Sequence, residues 1–322
     1  MADTAVRFAG GTDRAAVLRW LTERGVYIAL AALLLYNAAY TDRFISTGNL
    51  RTQLVQVVPV LVVALGMALV IGTEGIDLSV GAVMALGAAL LPIYLGYGWP
   101  LAVLLVLLAG ALCGLLNGAL VAIVGVQPIV ATLALLVGGR GLALVLANGQ
   151  SKDILNAPLL AFGSGRVLGV PSTVLLAAAL ALLVGFVVRR TTFGRQLLAV
   201  GGSPRASALA GLPVRRTLLG VYLANGLLAS VAGIVATVRL TASDPSTIGT
   251  LIELSAITAV VVGGTPLSGG KVRILGTVAG ALLMQLLRAT LNQHDLHDSV
   301  TQMVQAVVIL VAVGLQRTRV SA

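Results

Sequence analysis

Apolar residues fill this chain in long, nearly unbroken stretches separated by short polar segments. A helix needs about 17–25 apolar residues to cross a bilayer. Ten stretches meet or approach that length, at residues 25–40, 53–72, 77–95, 99–124, 127–147, 171–188, 217–238, 251–264, 272–291 and 300–316. The first and eighth are the shortest. The pattern predicts an all-α polytopic membrane protein of about ten transmembrane helices. It divides into an N-terminal segment 1–24, a transmembrane domain 25–316 and a tail 317–322.

Two of the apolar stretches are interrupted by polar, glycine-bearing breaks. The first runs Gly72-Thr-Glu-Gly-Ile-Asp-Leu-Ser-Val-Gly81 and the second Gly263-Gly-Thr-Pro-Leu-Ser-Gly-Gly-Lys271. Both fit G-x-x-L-S-x-G-x-V-x-x-L-G, which aligns Gly75, Leu78, Ser79 and Gly81 with Gly264, Leu267, Ser268 and Gly270. Paired breaks of this kind mark internally repeated transporters. Low-complexity background gives the same match by chance, so repeat and coincidence both stand. Glu74, Gly75, Asp77, Gly264, Pro266 and Gly270 are the candidate gating positions.

The third feature is residues 189–216, which hold six arginines and no acid between two spanning stretches. Such a loop is either a topology anchor or a docking surface for a soluble partner. Cytoplasmic connecting segments carry an excess of Lys and Arg. With the N-terminus inside, the inner segments hold fourteen, namely Arg7, Arg14, Arg19, Arg24, the six of the loop, Lys271, Arg273, Arg317 and Arg319. The outer segments hold five, Arg43, Arg51, Lys152, Arg166 and Arg239, while Arg140 and Arg288 fall within spans. Both termini and the basic loop are thereby predicted to face the cytoplasm.

Composition agrees with the pattern. Hydrophobic residues make up 58% and charged residues 10%, with a mean hydropathy of +1.03, outside the range of soluble chains. Thirty-eight glycines and few aromatics suit closely packed membrane helices. The net charge of +10 resides in loops, which argues against nucleic acid as a partner. The lone Cys113 excludes an internal disulfide, and the first apolar stretch reads as a retained span rather than a cleaved signal.

Several residues invite chemistry and have a plainer alternative. A phosphate-cradling loop requires G-x4-G-K-[ST], but Thr265 stands at the first glycine position and Val272 follows Lys271. ATP, if used, is bound by another chain. Asp77 either caps the Leu78–Val80 turn or takes part in coupling. Arg140 lies roughly 20 Å into its span at 1.5 Å per residue, flanked by Gly138, Gly139 and Gly141. A guanidinium inside a bilayer faces a cavity or a partner, so Arg140 either touches a solute or pairs with Glu253. The amides Asn117, Gln127, Asn225, Gln285, Gln302 and Gln305 either bond helix to helix or line a polar route; Asn117 and Asn225 are the candidates for the latter. His294, Asp295, His297 and Asp298 bunch together, but nothing completes a metal site. No catalytic constellation is present.

The residues then resemble a known family. Gly75-Ile-Asp-Leu-Ser-Val-Gly81, Asn117-Gly118, Gln127-Pro-Ile-Val-Ala-Thr-Leu133, Gly139-Arg-Gly141 and Val262-Gly-Gly-Thr-Pro-Leu-Ser-Gly-Gly270 are similar to the permease subunits of bacterial monosaccharide ABC importers of the ribose, xylose and galactofuranose type. Gly194-Arg195, Ala199, Gly201-Gly-Ser-Pro204, Ala206 and Gly211 match that family's cytoplasmic coupling segment. Gly138-Gly-Arg-Gly141 and Phe162-Gly-Ser-Gly165 place the galactofuranose permeases nearest. The resemblance covers about residues 50–315.

It implies a bacterial inner-membrane assembly: two permease subunits, identical or paired with a similar one, cytoplasmic ATPases that hydrolyse Mg-ATP, and a periplasmic or lipid-anchored sugar-binding protein. The permease itself would bind no cofactor and catalyse nothing. Residues 194–211, with Gly194, Arg195, Ser203, Pro204, Arg205, Ala206 and Gly211, would form one short helix seated on an ATPase. Glu74, Ser203 and Ser255 depart from the family's usual small residue, Asn and acid, and Glu74 and Ser255 together put the identity of the sugar in doubt. Same-family alternatives are permeases for nucleosides, branched-chain amino acids or a furanosyl signal. A secondary transporter is the rival of another class. It needs carboxylates near the midplane, whereas Glu74, Asp77 and Glu253 all read as lying near span ends.

Overall fold

The computed structural model describes residues 12–41, 43–293 and, in part, 299–310, with side chains from residue 24. The described residues form a helical bundle with four two-residue strands. In chain order come α1 (Thr12–Tyr40), α2 (Thr47–Gly72), α3 (Val80–Tyr94), α4 (Trp99–Ala119), α5 (Pro128–Leu146), α6 (Ala157–Ser164), α7 (Ser172–Arg190), α8 (Thr192–Gly202), α9 (Pro204–Leu209), α10 (Val214–Leu240), α11 (Ile252–Val262) and α12 (Ile274–Gln293). A 3-10 turn, Leu95–Tyr97, extends α3, and a wider turn, Leu120–Val124, extends α4.

Among the described residues, seven helices are long and apolar enough to cross a membrane: α2, α3 with its extension, α4 with its extension, α5, α7, α10 and α12. They match the second to seventh and the ninth predicted stretches. The first and eighth correspond to shorter apolar helices, Arg24–Tyr40 and Ile252–Val262. Much of the tenth stretch lies outside the described residues, as do Gln305, residues 294–298 with both histidines, and the tail 317–322.

α2 is the axis of the bundle. Every residue from Val57 to Gly72 is buried except Val60, and α7, α10, α11 and α12 pack around it. α10 also packs against α4, where glycines bring the backbones together. A Cβ on Gly114 would overlap the Tyr222 carbonyl, and one on Gly226 would overlap that of Gly110. The neighbours α5 and α1 are peripheral, packed chiefly on α3 and α12 respectively.

Amides clamp the remaining helices. Gln285 of α12 donates to Gln53 Oε1 at 3.0 Å and Gln56 Oε1 at 2.8 Å on α2. Asn37 of α1 donates to Thr290 Oγ1 at 2.8 Å. These bonds supply the interhelical role expected of neutral amides in a membrane.

α2 spans roughly 39 Å at 1.5 Å per residue, so its two ends define opposite faces of the bundle. At its N-terminal end, Arg51 donates to the Ser164 carbonyl of α6. There Lys152–Asp153 also pair antiparallel with Ala242–Ser243. At its C-terminal end lie the two breaks, α8 and α9.

Candidate functional site

The two breaks begin with the same backbone device. α2 stops at Gly72, and the amides of Glu74 and Gly75 donate to the carbonyls of Ile71 at 2.9 Å and Val70 at 3.0 Å. α11 stops at Val262, and the amides of Gly264 and Thr265 donate to Val261 at 2.9 Å and Val260 at 3.2 Å. This pairing closes a helix when the residue after the cap is left-handed, and Glu74 (φ 65°) and Gly264 (φ 87°) are. The sequence alignment pairs Gly75 with Gly264, whereas the backbone pairs Glu74 with Gly264. The likeness then ends: α3 resumes directly after Ser79, but α12 resumes only at Ile274, after left-handed Gly269 and Gly270.

Beyond its cap the first break dives into the bundle. Asp77 is 2% exposed. Its Oδ1 accepts from the Ser79 amide at 2.9 Å and the Ser79 hydroxyl at 2.6 Å. Its Oδ2 accepts from Asn225 Nδ2 at 2.8 Å. Asn117 Nδ2 closes the cluster by donating to Ser79 Oγ at 2.8 Å. Asp77 therefore caps its turn, as one sequence reading held, and also ties the break to α4 and α10. Asn225 is roughly 16 Å along α10 from its start at 1.5 Å per residue, so Asp77 is far from the surface position that its place at a span end suggested. Asn117 and Asn225 are both fully buried.

The segment 194–211, expected as one helix, is two. Ser203 (φ −165°) ends α8, and its hydroxyl accepts from the Ala206 amide to start α9, with Pro204 in the first turn. Ser followed by Pro is a helix-start signal that the sequence already carried. α8 turns Gly194, Leu197, Val200 and Gly201 into the bundle, and leaves Arg195 and Ala199 exposed. α9 is exposed along nearly its whole length: Pro204, Arg205, Ala206 and Leu209 face outward, with Leu209 85% exposed. Leu209 was missed because a lone leucine in a loop carries no period. Left-handed Gly211 (φ 77°) then turns the chain toward α10.

At the opposite face, Arg140 of α5 grips the loop before α11. Its Nη1 lies 3.4 Å from the Pro245 carbonyl, 3.4 Å from that of Ser246 and 3.3 Å from Thr250 Oγ1. Asp244 in the same loop accepts from the Ser246 hydroxyl and amide, and these bonds hold its carboxyl below the usual carboxylate range. Glu253 is buried with Oε2 unpartnered, close to Gly81, where a Cβ would meet it at 2.7 Å. Arg140 and Glu253 are thus brought into one region without forming an ion pair.

A test follows from that geometry. Arg140→Gln is expected to leave assembly and melting temperature near those of the parent, because three long bonds hold a loop and not the core. A marked drop in melting temperature that Glu253→Gln then repairs would show that the two charges do pair.

No cluster of three or more metal-ligating side chains occurs among the described residues.

Comparison with known proteins accords with this architecture. The family described as branched-chain amino acid transport system / permease component matches residues 49–313. The fructose import permease protein of Bifidobacterium longum is 37% identical over 279 residues, covering 85% of this chain and 78% of that protein. The galactofuranose transporter permease protein of Escherichia coli K12 is 37% identical over 311 residues, covering 94% and 91%. The ribose import permease protein of the same organism is 40% identical over 300 residues, covering 91% and 93%. No solved structure matches the chain. With seven membrane-length helices among the described residues and these relatives, the chain is a multi-pass membrane protein that belongs to the branched-chain amino acid transport system / permease component family.

Proposed function

We propose that this chain is the transmembrane subunit of an ATP-binding cassette importer that carries a monosaccharide across the bacterial inner membrane. The observation that carries the reading is identity of 37–40%, over most of the chain, to permeases named for fructose, galactofuranose and ribose. An exposed basic segment, α8–α9, abutting both helix breaks supports it.

In this reading ten helices cross the membrane with both termini in the cytoplasm. α9 and the outer face of α8 dock on an ATPase, with Arg195, Arg205, Ala206 and Leu209 on the contact surface. A sugar-binding protein delivers the solute at the face of Arg140, and a second permease subunit completes the passage. Mg-ATP is consumed by the partner subunits. Arg140 and Glu253 stand at the outer mouth, while Asn117 and Asn225 hold the first break and meet the solute as α4 and α10 separate. The family description names branched-chain amino acids, so leucine is the second solute to be weighed.

Reconstitution with the ATPase and binding protein tests this reading. Uptake of ribose, fructose or galactofuranose is expected to require ATP and to survive collapse of proton and sodium gradients. Ion-driven accumulation by the chain alone would make it a secondary carrier, and ATP-driven uptake of leucine alone would replace the sugar.

A further inference from the structure

The docking segment and both helix breaks meet at one point, and that point is made of backbone. The Gly270 amide donates to the Gly72 carbonyl at 3.0 Å, joining the second break to the end of α2. A Cβ on Gly201, near the end of α8, would overlap that same Gly72 carbonyl oxygen and stand 2.7 Å from the Gly270 nitrogen. A Cβ on Gly269 would stand 2.6 Å from the Gly201 carbonyl and 2.9 Å from the Glu74 nitrogen. Leu197 and Val272 wall the contact, since a Cβ on Gly72 would meet both side chains. Three separate chain segments thus touch with no side chain between them.

We propose that Gly201 is a positioning residue for transport: its missing side chain seats α8 directly on the Gly72 carbonyl, so that a shift of the docking segment reaches both breaks together. The physical reason is stiffness. A side chain between two helices can absorb a displacement by changing rotamer, whereas close-packed backbone passes it on. On one side the shift enters the cap of α2 and, five residues later, Asp77 with its bonds to Ser79 and Asn225. On the other it enters Gly270 and the start of α12. The inference rests on the importer reading above and adds to it the place where docking and gating join.

The test is the yield of transport per ATP in the reconstituted complex, using whichever of ribose, fructose, galactofuranose or leucine the parent carries. Gly201→Ala is expected to assemble with the ATPase and hydrolyse ATP while uptake per ATP falls about tenfold, within the usual range for a coupling between sites. Gly48→Ala, at the start of α2 and with open space at its Cβ, is expected to keep the parent's yield. A parental yield in Gly201→Ala overturns the proposal. Should that variant fail to assemble, Leu197→Ala loosens the same contact without a clash, and unchanged yield there overturns it equally. If the parent's uptake needs no ATPase at all, the importer reading fails instead, and the joint is left as a packing contact without a coupling role.

Discussion

Gly114→Leu is expected to leave no folded protein in the membrane. A Cβ at Gly114 would overlap the Tyr222 carbonyl and stand 3.0 Å from the Leu223 Cα, both backbone atoms of α10. Gly110, Gly114 and Gly118 recur every fourth residue on α4 and all face α10, which is why the two backbones approach so closely. In lipid, apolar burial does not itself drive helices together, so association depends on such packing. Overpacking a core costs about 1–3 kcal/mol where side chains can yield, and here the obstacle is main chain on both sides. The expected outcome is loss of the monodisperse species in detergent. Gly141→Leu on α5, with nothing near its Cβ, should purify and melt as the parent does. A Gly114→Leu protein with the parent's melting temperature would show that α4 and α10 are not held as described.

Asp77→Ala should have the second-largest effect, on both stability and transport. It removes the acceptor of three buried donors: the Ser79 amide, the Ser79 hydroxyl and Asn225 Nδ2. Each donor left unmade costs about 1–3 kcal/mol, so the loss is several kcal/mol and the break loses its anchor. Asp77→Asn is expected to be milder, because an amide oxygen still serves Ser79, but its NH2 then opposes the NH2 of Asn225. Combining it with Asn225→Asp restores a donor facing an acceptor and should recover part of the lost melting temperature. If the exchange recovers nothing, the contact to α10 is not what makes Asp77 matter. If Asp77→Ala melts and transports as the parent does, the cluster has no anchoring role.

Apolar length and the exclusion of water dictate that the chain crosses a membrane, and seven helices follow the predicted stretches because that constraint is local. The breaks at residues 72–81 and 263–271 were legible for the same reason, since polar groups and glycines interrupt an apolar run. Glu74 was noticed as a departure where small residues are usual. The structure supplies the cause, since it occupies a left-handed cap that favours glycine. Likewise the split between α8 and α9 was written in Ser203-Pro204, although the segment read as one helix.

What the sequence by itself determined is the class of protein, the helices that follow from apolar length, the breaks and the basic segment between two spans. Tertiary structure alone decided what those features touch. Asp77 looked like a residue near the surface because its partner Asn225 is 148 positions away. Arg140 read either as touching a solute or as pairing with Glu253, and the structure gives its bonds to the loop before α11. Gly72, Gly201 and Gly270 belonged to three separate sequence features, the two breaks and the basic segment, until folding brought their backbones together. Apolar length is a property of consecutive residues, readable one window at a time. Close approach of backbones depends on which helix faces which, and that is settled only when all of them pack at once.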